Sequence, residues 1–182
     1  MDAIIYKIYQ LFSQEIELYG NELALGPVAA AEDQQTTLQS VNWQQASSLE
    51  ELADQIHTCT LCQLSKSRNK FVFGVGNPHA DMMVIGEAPG ADEDRIGEPF
   101  VGKAGELLDK MLAAISLNRE TVYIANILKC RPPQNRDPLP NEMQLCKPYL
   151  LKQIELSSPK IILCLGRIAA HALLETTEPL AA

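Results

Sequence analysis

The run Met82-Met83-Val84-Ile85-Gly86-Glu87-Ala88-Pro89-Gly90-Ala91-Asp92-Glu93-Asp94 decides how this chain is read. An apolar segment stops at a glycine. A carboxylate follows at once, then Pro89 and Gly90, then three more carboxylates. A buried strand that ends in a tight, acid-bearing turn is where an open α/β sheet places its ligands. An ordinary strand exit with a solvated acidic tail has the same local pattern, so the flanking segments must decide.

Downstream, strand and helix patterns alternate. Residues 105–116 place Leu107, Leu108, Met111, Leu112 and Ile115 on one helical face. Residues 121–128 are rich in β-branched side chains and read as a strand. Residues 141–156 read as a helix, kinked or restarted at Pro148. Residues 160–165 form a third strand closed by Gly166, and residues 168–174 begin another helix. This alternation predicts a central parallel sheet covered on both faces. Ligands are then expected at the C-terminal strand ends, near Glu87, Asn126 and Gly166. Three strands make a thin sheet, and the last is expected to be an uncovered edge.

Upstream, Ser48 and Glu51 have capping-box spacing and predict a helix over about 49–57. Residues 3–19 place Ile4, Ile8, Leu11, Phe12 and Ile16 at helical spacing, and residues 28–42 read as a linker of low order. The expected organisation is an extension over 1–46 followed by an α/β domain over 47–182.

The 182 residues are enough for a real core. The net charge is −8, and residues 1–58 carry nine acids against one base. The acidity therefore belongs to the extension, and total charge is no guide to a nucleic-acid partner. No apolar run reaches membrane-helix length, and no signal-peptide pattern opens the chain, so a cytoplasmic protein is expected.

Five cysteines occur. Cys59 and Cys62 form a Cys-x2-Cys hairpin able to chelate one centre. Cys130 and Cys146 offer two more thiolates. Four thiolates suit a [4Fe–4S] cluster or a structural zinc, and spacing alone does not choose between them. Cys164 lies in an apolar strand and reads as core packing. Gly74-Val75-Gly76 lacks the third glycine of a dinucleotide fingerprint and precedes its strand. No Lys-Ser/Thr pair follows Gly90. No nucleotide cofactor is therefore expected.

Phe100, between Pro99 and a glycine-flanked loop, suits a stacking platform for a flat ring, or simply a loop aromatic folded on the core. Asn126 is the polar residue in the middle of an apolar strand. Its amide must be paired, either by backbone or by a ligand edge. Lys129, Arg131 and Arg136 make a proline-stiffened basic loop, read as a phosphate contact or as solvated charge.

Taken together, the order Cys-x2-Cys, Gly-Glu-Ala-Pro-Gly-x-x-Glu-Asp, Pro-Phe-Val-Gly-Lys-Ala-Gly, Asn-x3-Cys-Arg-Pro-Pro and a further cysteine closely resembles the family 4, iron–sulfur uracil-DNA glycosylases. The resemblance runs from about Leu49 to Leu174. It implies a three-layer α/β/α fold and a hydrolase that releases uracil from DNA in base-excision repair. It implies uracil-containing DNA as the partner and a monomeric protein. It implies a [4Fe–4S] cluster on Cys59, Cys62, Cys130 and Cys146, uracil stacked on Phe100 and read by Asn126 over Gly86, and acidic active-site positions at Glu87 and Glu93. Backbone N–H groups over residues 86–90 would serve the leaving anion.

The family's second active-site motif, a His-Pro-x segment, has no counterpart. None of His57, His79 and His171 precedes proline. On this resemblance the domain is C-terminally incomplete, lacks its last strand or strands, and has strongly reduced activity. The rival readings are a non-catalytic iron–sulfur protein that binds uracil or DNA, and a zinc-stabilised interaction module.

Overall fold

The computed structural model describes residues 42–176 and residue 178. The helix expected over 3–19 and nearly all of the linker expected over 28–42 lie outside the described residues.

Strand β2 (Met82–Gly86) and strand β3 (Tyr123–Asn126) form the centre of a four-stranded sheet. They run parallel, with Met83 opposite Tyr123 and Gly86 opposite Asn126. Strand β4 (Ile161–Cys164) lies parallel on the far side of β2. On the other side of β3 lies a two-residue strand, β1 (Val75–Gly76), and it is antiparallel. The three expected strands are parallel as predicted, and the additional strand β1 makes the sheet a mixed one. Periodicity could not flag β1, because two residues show no alternation. A Cβ on Gly76 would stand 2.0 Å from the Val122 carbonyl oxygen, so the backbone comes closer there than any side chain allows.

Alternation along β2 and β3 builds the three layers. Met83, Ile85, Tyr123 and Ala125 point to one face, where Leu49 and Leu150 pack on them. Those two residues belong to helix α1 (Leu49–Ile56) and to helix α4 (Pro140–Ser157). Val84, Val122 and Ile124 point to the other face and pack on Leu108 and Leu112, which belong to helix α3 (Lys103–Ala114). Helix α5 (Arg167–Leu174) follows β4 and packs on β2 and β4. The covered centre agrees with the expectation. So does the edge: Ile161 and Ile162 of β4 are 55% and 41% exposed.

Local chemistry accounts for most boundaries. The Ser48 hydroxyl accepts from the Glu51 N–H, capping α1. The Glu51 carboxylate reaches one residue further back than a capping box requires, to the N–H of Ser47. Helix α4 does not restart at Pro148 but runs through it. A proline removes one N–H from the ladder, and burial of Cys146, Tyr149 and Leu150 anchors the turns around it. The acidic segment after Gly90 is more than a turn. It forms the short helix α2 (Ala91–Ile96). Its buried Asp94 accepts from the N–H groups of Asn69 and Lys70, at 2.8 and 3.3 Å.

Candidate active site

The C-terminal ends of β2 and β3 open into a cleft of about 720 Å³, partly continuous with solvent. Gly86, Glu87, Glu93, Phe100 and Asn126 all line it. The five residues singled out by sequence on this side of the sheet therefore converge.

Gly86 is what allows this convergence. A Cβ there would lie 2.4 Å from Asn126 Oδ1 and 2.5 Å from Phe100 Cζ. The glycine lets an amide and an aromatic ring meet over a bare backbone. Asn126 is 2% exposed, and its Oδ1 has no hydrogen-bond partner. A buried acceptor left unpaired costs about 1–3 kcal/mol. An acceptor kept that way, facing a cleft, is poised for a donor from outside.

Phe100 has φ of +55°, a left-handed conformation that a bulky residue adopts only under constraint. Three groups supply that constraint. The Glu93 carboxylate accepts from the N–H groups of Gly90, Val101 and Gly102, at 3.1, 2.9 and 3.0 Å. Arg119, paired with Asp109 at 2.7 Å, donates to the Pro99 and Phe100 carbonyls. Gly105 makes room, since a Cβ there would stand 1.7 Å from the Phe100 oxygen. Glu93 thus lines the cleft with its oxygens already engaged. The Gly90 N–H, expected to face an anion, is spent on Glu93.

Glu87 is different. It is half-buried, and among the described residues no hydrogen bond engages its carboxylate. Burial, then the Asp137 carboxylate, push its pKa above the ordinary value, and the Arg167 guanidinium opposes them. Arg167 and Asp137 approach each other at 3.9 Å.

On the α1 and α4 side, Cys59, Cys62, Cys130 and Cys146 line one small pocket, shared with Arg68, Phe71 and Tyr149. All four are free thiols. Burial pushes Cys130 up, and pushes Cys146 up to about 12. Thiols in such a place stay protonated unless a cation joins them. Donors already surround the sulfurs. Arg68 Nη1 lies 3.0 Å from Cys130 Sγ and also binds the Cys59 carbonyl, the Lys129 N–H points at Cys146 Sγ, and the Tyr149 hydroxyl points at Cys59 Sγ. Hydrogen bonds of this kind suit anionic sulfur. Among the described residues, no three His, Cys, Asp or Glu side chains are gathered tightly enough to hold a single ion. Cys164 is elsewhere, on β4.

The basic loop resolves differently from its expectation. Lys129 is 0% exposed, so it is no surface phosphate contact. Arg136 is engaged bidentately by Glu142, at 2.9 and 2.6 Å. Arg131 binds Asn135. Arg68, Arg119 and Arg167 were not singled out by sequence. A lone arginine in a loop or at a helix start carries no periodic signal, and the roles of these three depend on partners distant in sequence.

Residues 73–181 match the Uracil DNA glycosylase superfamily. The chain is 54% identical over 124 residues to a Type-4 uracil-DNA glycosylase of Archaeoglobus fulgidus, covering 68% of this chain and 62% of the relative. It is 44% identical over 121 residues to a Type-4 uracil-DNA glycosylase of Thermotoga maritima, covering 66% and 63%. A Type-5 uracil-DNA glycosylase of Thermus thermophilus is 34% identical over 116 residues, 56% of this chain and 52% of the relative. The chain spans less than two thirds of the length of these relatives. The matched region contains the whole four-stranded sheet, the residues lining the cleft, and two of the four clustered cysteines, Cys130 and Cys146. By its sequence, the chain belongs to the uracil-DNA glycosylase superfamily.

Proposed function

We propose that the cleft binds a uracil flipped out of DNA and that the protein hydrolyses its N-glycosidic bond. The observation that carries this reading is the buried, unpaired Oδ1 of Asn126 beside Phe100. A base must leave the stack before its glycosidic bond can be reached. An aromatic face then holds it for about 1–3 kcal/mol whatever its identity. Identity comes from the amide. Oδ1 accepts from uracil N3–H, and the Asn126 amide N–H donates to O4. Cytosine presents the opposite pattern and leaves both groups unpaired.

Cleavage breaks the bond between the sugar C1′ and N1. The electron pair leaves with uracil, and water adds to the sugar. Glu87 has a free carboxylate in the cleft, and we assign it to orienting that water or balancing the cationic sugar. Glu93 is assigned to holding the Phe100 loop.

Cys59, Cys62, Cys130 and Cys146 are proposed to hold a [4Fe–4S] cluster. Four thiols lining one pocket support a shared metal centre, and the resemblance to the iron–sulfur glycosylases favours a cluster over zinc. The cluster's contribution is a cross-link between the segment after α1, the segment after β3 and helix α4. No helix among the described residues is long and apolar enough to cross a membrane, and DNA is the proposed partner.

The test is to incubate the purified, iron-loaded chain with a uracil-containing oligonucleotide and to measure release and binding in parallel. Uracil release supports the glycosylase. Uracil-dependent binding without release favours the non-catalytic reading. Neither release nor uracil-dependent binding sinks both.

A further inference from the structure

Lys129 is a fully buried cationic side chain that lines neither the cleft nor the cysteine pocket. Its Nζ donates to the Asn126 carbonyl at 2.8 Å and to Gln153 Oε1 at 2.5 Å. Gln153 is also 0% exposed, and its amide donates to the Phe73 carbonyl at 3.0 Å and meets the Tyr123 hydroxyl at 3.3 Å. The backbone N–H of Lys129 points at Cys146 Sγ, 3.3 Å away. One residue thus touches the peptide of the base-reading amide through its side chain and the cysteine ring through its main chain.

Filling that space does not call for a lysine. Methionine has similar length and no desolvation cost, whereas a buried ammonium must be fully bonded to be tolerated. What lysine adds is a directional bond to the Asn126 carbonyl at the end of β3. The N–H of the same peptide, on Ile127, already donates to the Gly86 carbonyl at 2.9 Å, so Lys129 holds the carbonyl side of a peptide whose N–H side the sheet holds. We propose that Lys129, itself held by Gln153, is a positioning residue that fixes the Asn126 peptide and so aims the Asn126 amide into the cleft. The inference deepens the uracil reading, and its kinetic test rests on that reading.

Single-turnover uracil release is measured as a function of enzyme concentration for the wild type, Lys129→Met, Asn126→Ala and the double variant, each corrected for folded, iron-loaded protein. The expected result is that Lys129→Met slows the limiting rate by about tenfold or more. In the Asn126→Ala background the same change slows it by less than about threefold, because the group being aimed is already gone. Effects that multiply would show that Lys129 acts on something other than Asn126 and overturn the inference. A wild type that releases no uracil contradicts the proposed function instead. The inference is then decided by the crystal structure of Lys129→Met. An Asn126 amide turned out of the cleft supports it, and an unmoved amide overturns it. Should Lys129→Met fail to fold, Gln153→Met takes its place in both measurements, with the same expected signs.

Discussion

The cleft and the cysteine ring are both built from residues far apart in sequence, yet they are held in opposite ways. In the cleft, the protein's own backbone does the organising. Gly86 and Gly105 remove Cβ atoms that would collide, and Glu93 gathers three N–H groups around the Phe100 loop. Its candidate functional groups remain open: Asn126 Oδ1 is unpaired, and among the described residues no hydrogen bond holds the Glu87 carboxylate. In the ring, four thiols face one another across a pocket, and burial opposes the ionised form of the inner two. On the proposed reading, the base-reading part of the cleft is formed before its ligand arrives, and the ring is completed by a cluster between its sulfurs. Pre-organisation would then belong to the half that discriminates, and cross-linking to the half that holds.

The largest expected effect breaks the ring. Cys146→Ser should remove the visible absorbance and bound iron, lower Tm, and abolish uracil release by loosening both β3's exit and α4. Retained iron with normal Tm would show that the ring is not a cluster site. The next effect stays within the cleft. In Gly105→Ala, the added Cβ meets the Phe100 carbonyl, so the loop must shift. Uracil release is expected to fall by about tenfold or more, with a Tm loss of a few degrees. Iron content should not change. If iron is lost as well, the two halves are not independent.

Smaller again is Glu93→Gln. It retains one carbonyl oxygen for the loop N–H groups but weakens charge-assisted bonds, for about 1 kcal/mol. The expected outcome is a modest loss in both Tm and rate, with the pH–rate profile unchanged in shape. Glu87→Gln should do the reverse. Because burial raises the Glu87 pKa, the wild-type rate should fall as pH drops through a value above the usual carboxylate range. The variant should be slow and lack that limb. The stability sign is opposite. An acid whose folded pKa is raised opposes folding once it ionises. Glu87→Gln should therefore raise Tm slightly near neutral pH, and the gain should vanish as pH falls below the folded pKa. A Glu93→Gln variant that loses the limb, or a Glu87→Gln variant that keeps it, would exchange the two assignments.

The covered strands were legible in sequence because apolar runs bounded by glycine have few other uses. Residues 82–86 and 121–128 gave the centre of the sheet, and α1, α3 and α5 lie within two residues of expectation. What periodicity could not show was β1, too short to alternate, and α2, whose acidic surface hides one buried residue, Asp94. In the candidate site, residue types in order were enough to single out Glu87, Phe100 and Asn126, which line one cleft, and the four cysteines, which line one pocket. Their division of labour was not legible. That Glu93 is bonded and Glu87 free depends on three backbone N–H groups, two of them from a loop eight and nine residues away. That Lys129 is buried depends on Gln153, 24 positions on. Long-range partners of single polar residues leave no local pattern.

The central claim is that Asn126 carries an acceptor reserved for the base. Asn126→Ala tests it most directly, with uracil release and Tm measured on the same iron-loaded protein. The account predicts a rate loss on the order of 100-fold, with Tm unchanged or raised, since an unpaired buried acceptor has been removed. A rate near that of the wild type would contradict it, and so would a loss of activity that merely follows a fall in Tm.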